Sequence, residues 1–364
     1  MVRVAFDAMG GDHGAAEVVP GVLDYARAHP DVELILVGDT ETIRRLAGDM
    51  PANTRIVHAG SVIDMDEHNP ALAMREKKDA SILVAAELVR KGEADAVVTA
   101  GHTGAGMAAG ILKLGRLAGV DRPGLAVQMV TDTGPLVLID IGANPDSTAE
   151  NLAQYARMGA IFAEKVLDVP DPRVALLSIG EEKGKGDARI QRATQLLDAS
   201  TLRFVGNVEG RDLTKHTADV VVTDAVAGNV VIKFFEGLSQ FIFDLWRREF
   251  RATWRGKLAY LLMRPSIGRI RSIFDYETHG GSLLLGVKGT LIITHGSAKR
   301  RMIGFACDVA TRTATARVPE LIAEALAADR QRLAELEAAT TNDVGTNQSP
   351  ESGTAAPTDE EVAS

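Results

Sequence analysis

Short runs rich in β-branched residues alternate with helical patterns along most of the chain. Strand-like runs fall at 2–6, 33–37, 55–58, 94–99, 125–130, 136–141, 173–179, 202–205, 219–223 and 290–294. Between many of them lie helical signals. Val18, Val19, Val22, Leu23 and Ala26 repeat at three- and four-residue spacing over 15–28. The stretch 147–166 opens on Ser147, with Glu150 three residues later, which predicts a capped helix start. Strands that are apolar throughout, such as LVLIDI, suit a sheet covered on both faces. The alternation predicts an α/β protein, a doubly wound α/β/α sandwich with a mostly parallel sheet. No repeat of 20–50 residues is present.

That architecture carries a location rule: ligands gather beyond the carboxyl ends of the strands. The strand exits read DAMGGDHG (7–14), AGHTGAG (100–106), GANPDS (142–147), GEEKGKGD (180–187), GNVEGRD (206–212) and DAVAGN (224–229). All are polar and glycine-rich, and placed on one expected sheet edge they predict one large polar cleft. Glycine turns that open helices bind anions, because free N–H groups and the helix dipole converge there. A phosphate-sized anion is the expected ligand. Its candidate contacts are Asp7, Gly10, Gly11, Asp12 and His13 in the first turn, and His102, Thr103 and Gly104 in the second. Asn144, and His295 of THGS, complete the set.

Each of these residues also has a plainer use. His13 and His102 serve equally as helix-entry groups, and Asn144 and Asn229 as turn residues that tolerate left-handed backbone. Lys183 and Lys185 offer mobile positive charge, or are solvated loop lysines. Asp140, Asp146, Asp187 and Asp224 read as capping residues in preference to a magnesium site. GAGMAA (104–109) formally fits a dinucleotide fingerprint, but Asp121, near the expected spacing, sits in the loop GVDRPG, and Asp132, which follows the next strand, lies later than expected. There is no Walker A loop, no G-x-S-x-G elbow and no HExxH. Cys307, the single cysteine, sits in apolar GFACDVA and reads as core. With no covalent nucleophile evident, the expected chemistry rests on positioning and charge, with a substrate as nucleophile.

The ordered set DAMGGD, AGHTGA, DIGAN, IGEEKGKG, VGNVEG, AGNVVIKFFEG and GGSLLLGVKGTLIITHGS resembles the acyl-ACP:phosphate acyltransferase (PlsX) family of bacterial phospholipid synthesis. The likeness runs from about residue 2 to 335. It implies transfer of a fatty acyl group from acyl carrier protein to inorganic phosphate, giving acyl phosphate and free carrier protein. It further implies a homodimer, a fold related to phosphotransacetylases and isopropylmalate dehydrogenases, and neither metal nor nucleotide cofactor. A cytoplasmic enzyme peripherally associated with the membrane follows. The family's active lysine and asparagine fall on Lys185 and Asn229. The chain departs from the family's pattern at His102, where Asn is usual, at Ala225–Val226–Ala227 before the Gly-Asn pair, and at SLLLGV, where APLLGV is common. The alternatives are a soluble phosphotransacylase using acyl-CoA, an NAD-dependent dehydrogenase of related fold, or a noncatalytic lipid-synthesis scaffold.

Charge refines the domain picture. The formal net charge is −9. The stretch 337–364 carries six acids and neither Lys nor Arg, lacks aromatics, and is rich in Thr, Ala, Ser and Pro. It is expected to be a disordered acidic tail behind a single catalytic domain, 1–336. The remaining charge is near −3, with no global nucleic-acid signature. One cysteine excludes an internal disulfide, the start MVRVAFDAM reads as a strand and not a signal peptide, and no unbroken run of 18 apolar residues exists.

Against this acidic background, 246–272 has a local net charge of +7. It forms the core of an expected basic amphipathic helical segment, 246–276, whose apolar stripe over Trp254, Leu258, Leu261 and Leu262 ends near Pro265. Arg247, Arg251, Trp254, Arg255, Leu258, Leu261 and Leu262 are the expected contacts to an anionic membrane surface or to the acidic carrier protein. A dimer-packing helix pair with a solvated basic face is the third reading.

Overall fold

The computed structural model describes residues 1–131, 133–274 and 276–345. Eleven strands form one sheet: β1 Val2–Asp7, β2 Val32–Gly38, β3 Thr54–His58, β4 Ala96–Thr99, β5 Gly124–Val130, β6 Pro135–Ile139, β7 Val174–Leu177, β8 Phe204–Val208, β9 Val220–Val222, β10 Ser282–Leu285 and β11 Thr290–Ile293. Their order across the sheet is β3-β2-β1-β4-β11-β10-β5-β6-β9-β7-β8. Every strand expected from the pattern is present, with ends moved by at most three residues; β10 is the addition.

Alternate residues of one strand feed opposite layers, as the pleat requires. Val4, Phe6, Leu34 and Leu36 join a core with the helices Ala15–Ala28, Ala149–Val166 and Arg300–Thr315. Ala5, Ile35 and Val37 join a second core with Ser81–Arg90 on the other face. Both faces are therefore covered, and the doubly wound sandwich is the observed architecture.

Strand direction differs from expectation in one decisive way. β10 runs antiparallel to both β11 and β5, and β5 runs antiparallel to β6. The remaining neighbours are parallel. Three reversals leave the set β6-β9-β7-β8 pointing opposite to β3-β2-β1-β4. The glycine-rich exits thus do not share one edge. They form two groups that leave the sheet in opposite directions. The groups still approach each other, because Val98, Ile292, Leu283, Ala126 and Ile139 lie in one row across the sheet. β4 and β6 therefore end within a residue of the same level.

The capping residue of Ala149–Val166 is Thr148, paired reciprocally with Asn151, not Ser147 with Glu150. Ser147 instead donates its hydroxyl to Asn144 O. The basic segment belongs to a helix pair, Ala225–Ala252 and Trp254–Ile273, broken at Thr253, whose hydroxyl accepts the Gly256 N–H. The second helix continues through Pro265, where the apolar stripe was expected to end. The carbonyl that loses its intrahelical partner there belongs to Leu261, an exposed residue. By length and composition alone Ala225–Ala252 meets what a membrane span needs, although Lys233 and Glu236 interrupt its apolar run.

Met1–Leu326 forms one compact unit. The last helix, Val318–Gly345, buries Val318, Ile322 and Leu326. From Ala327 onward the chain is a separate unit, helical to Gly345. That helix overlaps the first part of the stretch expected to be disordered, and the part from 346 to 364 lies outside the described residues.

Candidate active site

The first group of exits interlocks around a buried carboxyl. Asp7 ends β1 and is 2% exposed. Its Oδ2 accepts the Thr99 hydroxyl at 2.7 Å, and its Oδ1 accepts the Met9 N–H at 3.3 Å. Thr99 Oγ1 in turn accepts the Gly101 N–H at 2.9 Å. Burial pushes the Asp7 carboxyl above its usual range, against the opposing pull of these hydrogen bonds. The paired glycines follow from this packing. A Cβ at Gly10 would lie 2.8 Å from both Asp7 Oδ2 and Gly101 N. Gly11 has φ +100°, and a Cβ there would lie 3.1 Å from Gly296 O. The Asp12 N–H is taken up by Gly296 O at 2.8 Å. These glycines let three turns, those after β1, β4 and β11, pack against one another. Asp12 and His13 are exposed beside them.

His102 caps the helix Thr103–Ala109, its Nδ1 accepting the Ala105 N–H at 3.3 Å. In the neutral ring this bond places the proton on Nε2. A Cβ at Gly104 would lie 3.0 Å from His102 Cε1, so glycine lets the ring lie over the first turn. His295, after β11, accepts the Ser297 N–H on Nδ1 at 3.2 Å.

The second group is built on Asp140, which is fully buried. Its Oδ1 accepts N–H groups of Leu125, Gly142 and Ala143, and its Oδ2 that of Asn144. Burial raises this carboxyl too, and the backbone donors oppose the shift. The Asn144 amide ties the turn to its surroundings, donating to Pro123 O and Tyr155 Oη. Asn229 Nδ2 donates to Ile141 O at 3.1 Å and keeps a second N–H and its carbonyl oxygen. Asp224 caps Ala225–Ala252 through the Val226 and Ala227 N–H groups. Lys185 is exposed on a turn flanked by Gly184 at φ +93° and Gly186 at φ +99°. Its carbonyl accepts from Asn207 Nδ2 at 3.4 Å. Of the carboxylates weighed as magnesium ligands, Asp140, Asp187 and Asp224 are occupied by turns, caps and Arg189.

A cavity of about 360 Å³ lies between the two groups. Its walls include Val127, Ser282 and Ile293, which are register partners across β5, β10 and β11. Ile232 and Phe235 face it from Ala225–Ala252. Of the expected residues, Thr103, Asn229 and His295 line it. Asp7, Gly10, Gly11, Asp12, His13, His102, Gly104, Asn144 and Lys185 are not among its walls. A larger concavity, about 1080 Å³, opens against the helix pair and includes Arg247, Arg251 and Lys257. The two share Glu236, Ser239, Phe274 and His295. On the helix pair, Trp254 (70%), Leu261 (64%) and Leu262 (74%) are largely exposed, and the Arg255 guanidinium stacks over Trp254.

Sequence reasoning missed two residues of this site. Asp140 was read as a cap, and its service to a whole turn needed the fold. Arg189 looks like any solvated basic residue in a helix first turn, and no local signal marks it.

Residues 2–321 match the family described as fatty acid synthesis protein. The phosphate acyltransferase of Desulfitobacterium hafniense (strain Y51) is 48% identical over 313 residues, covering 85% of this chain and 93% of that protein. The chain belongs to this family of phosphate acyltransferases. A further relative, the phosphate acyltransferase of Heliobacterium modesticaldum, is 45% identical over 313 residues, covering 85% of this chain and 93% of that protein. Among solved structures, a phosphotransacetylase from Streptococcus pyogenes matches with a TM-score of 0.57 at 17% identity, covering 86% of this chain and 94% of that one. At that identity the match shows a shared fold. The family is one of enzymes, and the site described above is where its members' chemistry is to be sought in this chain.

Proposed function

We propose that this enzyme transfers a fatty acyl group from acyl carrier protein to inorganic phosphate, releasing acyl phosphate for phospholipid synthesis. The observation that carries the reading is the cavity between the two groups of exits. Its walls are apolar along Met107, Leu125, Val127, Ile232 and Phe235, and polar at Thr103, Asn229 and His295. A long acyl chain fits the first set and a thioester carbonyl the second. A phosphate oxygen attacks the thioester carbon, and the tetrahedral intermediate carries one new oxyanion. Collapse breaks the C–S bond, and the carrier thiolate takes a proton. The free N–H of Asn229 is suited to the oxyanion, and the Lys185 ammonium to the charge of the incoming phosphate. The loops around Asp7, His13, His102 and Asn144 would shape the phosphate side. No metal or cofactor enters this scheme.

The concavity bordered by Arg247, Arg251 and Lys257 suits an acidic carrier protein, whose linked acyl group would reach inward through the shared wall. The apolar residues exposed on the helix pair suit either a second copy, making the homodimer, or an anionic membrane.

The test is direct. Purified protein with acyl carrier protein thioester and phosphate, without added metal or nucleotide, is expected to form acyl phosphate, detected as the hydroxamate. Lys185→Ala and Asn229→Ala are each expected to lower kcat by about 10²-fold or more, the scale of losing one oxyanion donor. Absence of product with the carrier thioester, together with brisk turnover of a CoA thioester, would favour the soluble phosphotransacylase. The dehydrogenase alternative is weakened at GAGMAA. A Cβ at Gly106 would lie 2.9 Å from Ile293 Cδ1, so that glycine serves helix-to-sheet packing.

A further inference from the structure

Lys185 and Asn229 sit on different elements, and something must hold them in register. Lys185 lies on an exposed turn with a left-handed glycine on each side. Such a turn has little stiffness of its own. Asn229 lies in the second turn of Ala225–Ala252, a helix that is mostly exposed beyond its start. We propose that Arg189 is a positioning residue that ties the turn carrying Lys185 to the helix start carrying Asn229. The inference rests on the catalytic reading of those two side chains given above.

Arg189 occupies the first turn of Ala188–Asp198, four residues after Lys185. Its Nη2 donates to Asp224 Oδ2 at 2.8 Å. Asp224 is the residue whose other oxygen caps the Asn229 helix. The same Nη2 lies 3.3 Å from Asp187 Oδ2, and Asp187 caps Arg189's own helix through the Ile190 N–H. Nη1 donates to Ser147 O at 3.3 Å, at the end of the GANPDS turn. One guanidinium therefore reaches three of the four exits of the reversed strands. Its side chain is 28% exposed, and the Nε–H is buried without a partner among the described residues. Arginine suits this work, because a planar fork serves several acceptors at fixed angles and an ammonium does not. Nothing places the guanidinium on a substrate; it acts through the two caps.

The experiment is steady-state kinetics with the full chain, comparing Arg189→Met in the parent and in Asn229→Ala. Loss of alignment at a reacting group costs up to about 10²-fold per ångström. A partial loosening is therefore expected to lower kcat about tenfold, with KM for the acyl donor within about twofold. In the Asn229→Ala background the added loss is expected to fall below about twofold, because there is no amide left to align. A purely structural role would cost the same factor in both backgrounds. Equal losses, or no loss in the parent, overturn the inference while leaving the catalytic reading intact. Full activity of Asn229→Ala overturns that reading, and the inference with it. If Arg189→Met does not fold by circular dichroism, Arg189→Lys carries the same comparison, with an expected loss of about threefold confined to the parent background.

Discussion

Replacing Gly228 by Ala sets two effects of opposite sign against each other. Gly228 lies in the first turn of Ala225–Ala252, with ordinary helical backbone, and its N–H donates to Asp224 O at 2.9 Å. Helix propensity alone favours Ala there by about 1 kcal/mol. The added Cβ, however, would fall onto the Asp140 carbonyl oxygen, with Asp140 C and Ile141 Cα each 3.0 Å away. All three atoms are backbone. The Asp140 carboxyl is held by N–H groups of Leu125, Gly142, Ala143 and Asn144, so that segment does not yield. The helix start must retreat instead. Overpacking of this kind costs about 1–3 kcal/mol. Retreat also stretches the Asn229 Nδ2 to Ile141 O bond, worth about 1 kcal/mol. The net expectation is destabilisation by about 1–3 kcal/mol, with a loss of activity larger than the loss of folded protein. Gly237 is the internal control. It lies in the same helix with nothing within 4 Å of its would-be Cβ, so Gly237→Ala is expected to be neutral or stabilising by up to about 1 kcal/mol. Urea unfolding followed by circular dichroism, beside the acyl phosphate assay, reads both. A Gly228→Ala variant as stable and as active as the parent would refute the close approach of this helix to the β6 exit.

Other consequences concern acid stability, thiol access and surface binding. Burial alone would raise Asp219, but the Arg173 guanidinium and N–H outweigh it and hold the carboxyl below its usual range. A depressed carboxyl stabilises above its unfolded value, near pH 3.9, and that contribution fades as pH falls through the folded value. Arg173→Met is therefore expected to lower stability at pH 7 and to narrow the gap to the parent on acidification, as seen in urea titrations at several pH values. A gap that widened in acid would contradict this sign. Cys307 is fully buried, and burial pushes its thiol up, so it is expected to react with Ellman's reagent only on unfolding. Rapid labelling of the native protein would count against the packing of Arg300–Thr315. Sedimentation with anionic liposomes is expected to fall with added salt and with Arg251→Glu/Arg255→Glu. Binding indifferent to both would remove the electrostatic part of the surface reading.

Much of the fold was legible because its signals are local. Apolar runs located the strands other than β10, and glycine clusters marked their exits. β10 escaped because SLLL is short and set directly behind Gly280–Gly281. Its partners on one side, Val127 and Ala126, lie over 150 residues away in sequence, while those on the other, Ile293 and Ile292, lie across a short hairpin. The cap of Ala149–Val166 was misplaced by one residue, since adjacent Ser147 and Thr148 have the same capping chemistry and only backbone geometry separates them. Pro265 was expected to end the apolar stripe but not the helical segment, and the helix runs through it.

The candidate site divides the same way. The sequence by itself located the glycine turns, and its resemblance to the family pointed to Lys185 and Asn229 as the proposed catalytic pair. Residue type and short-range spacing suffice for the turns, because turn and cap preferences act over three or four residues. Tertiary structure alone decided that the exits split into two opposed groups, that Gly10 and Gly11 serve turn-to-turn contact, and that Arg189 bridges the caps. Those outcomes depend on strand direction across the whole sheet, where the hairpins β10–β11 and β5–β6 are local but the β10–β5 pairing joins segments over 150 residues apart. An apolar strand buries the same surface whichever way it runs, so its own pattern carries no record of direction.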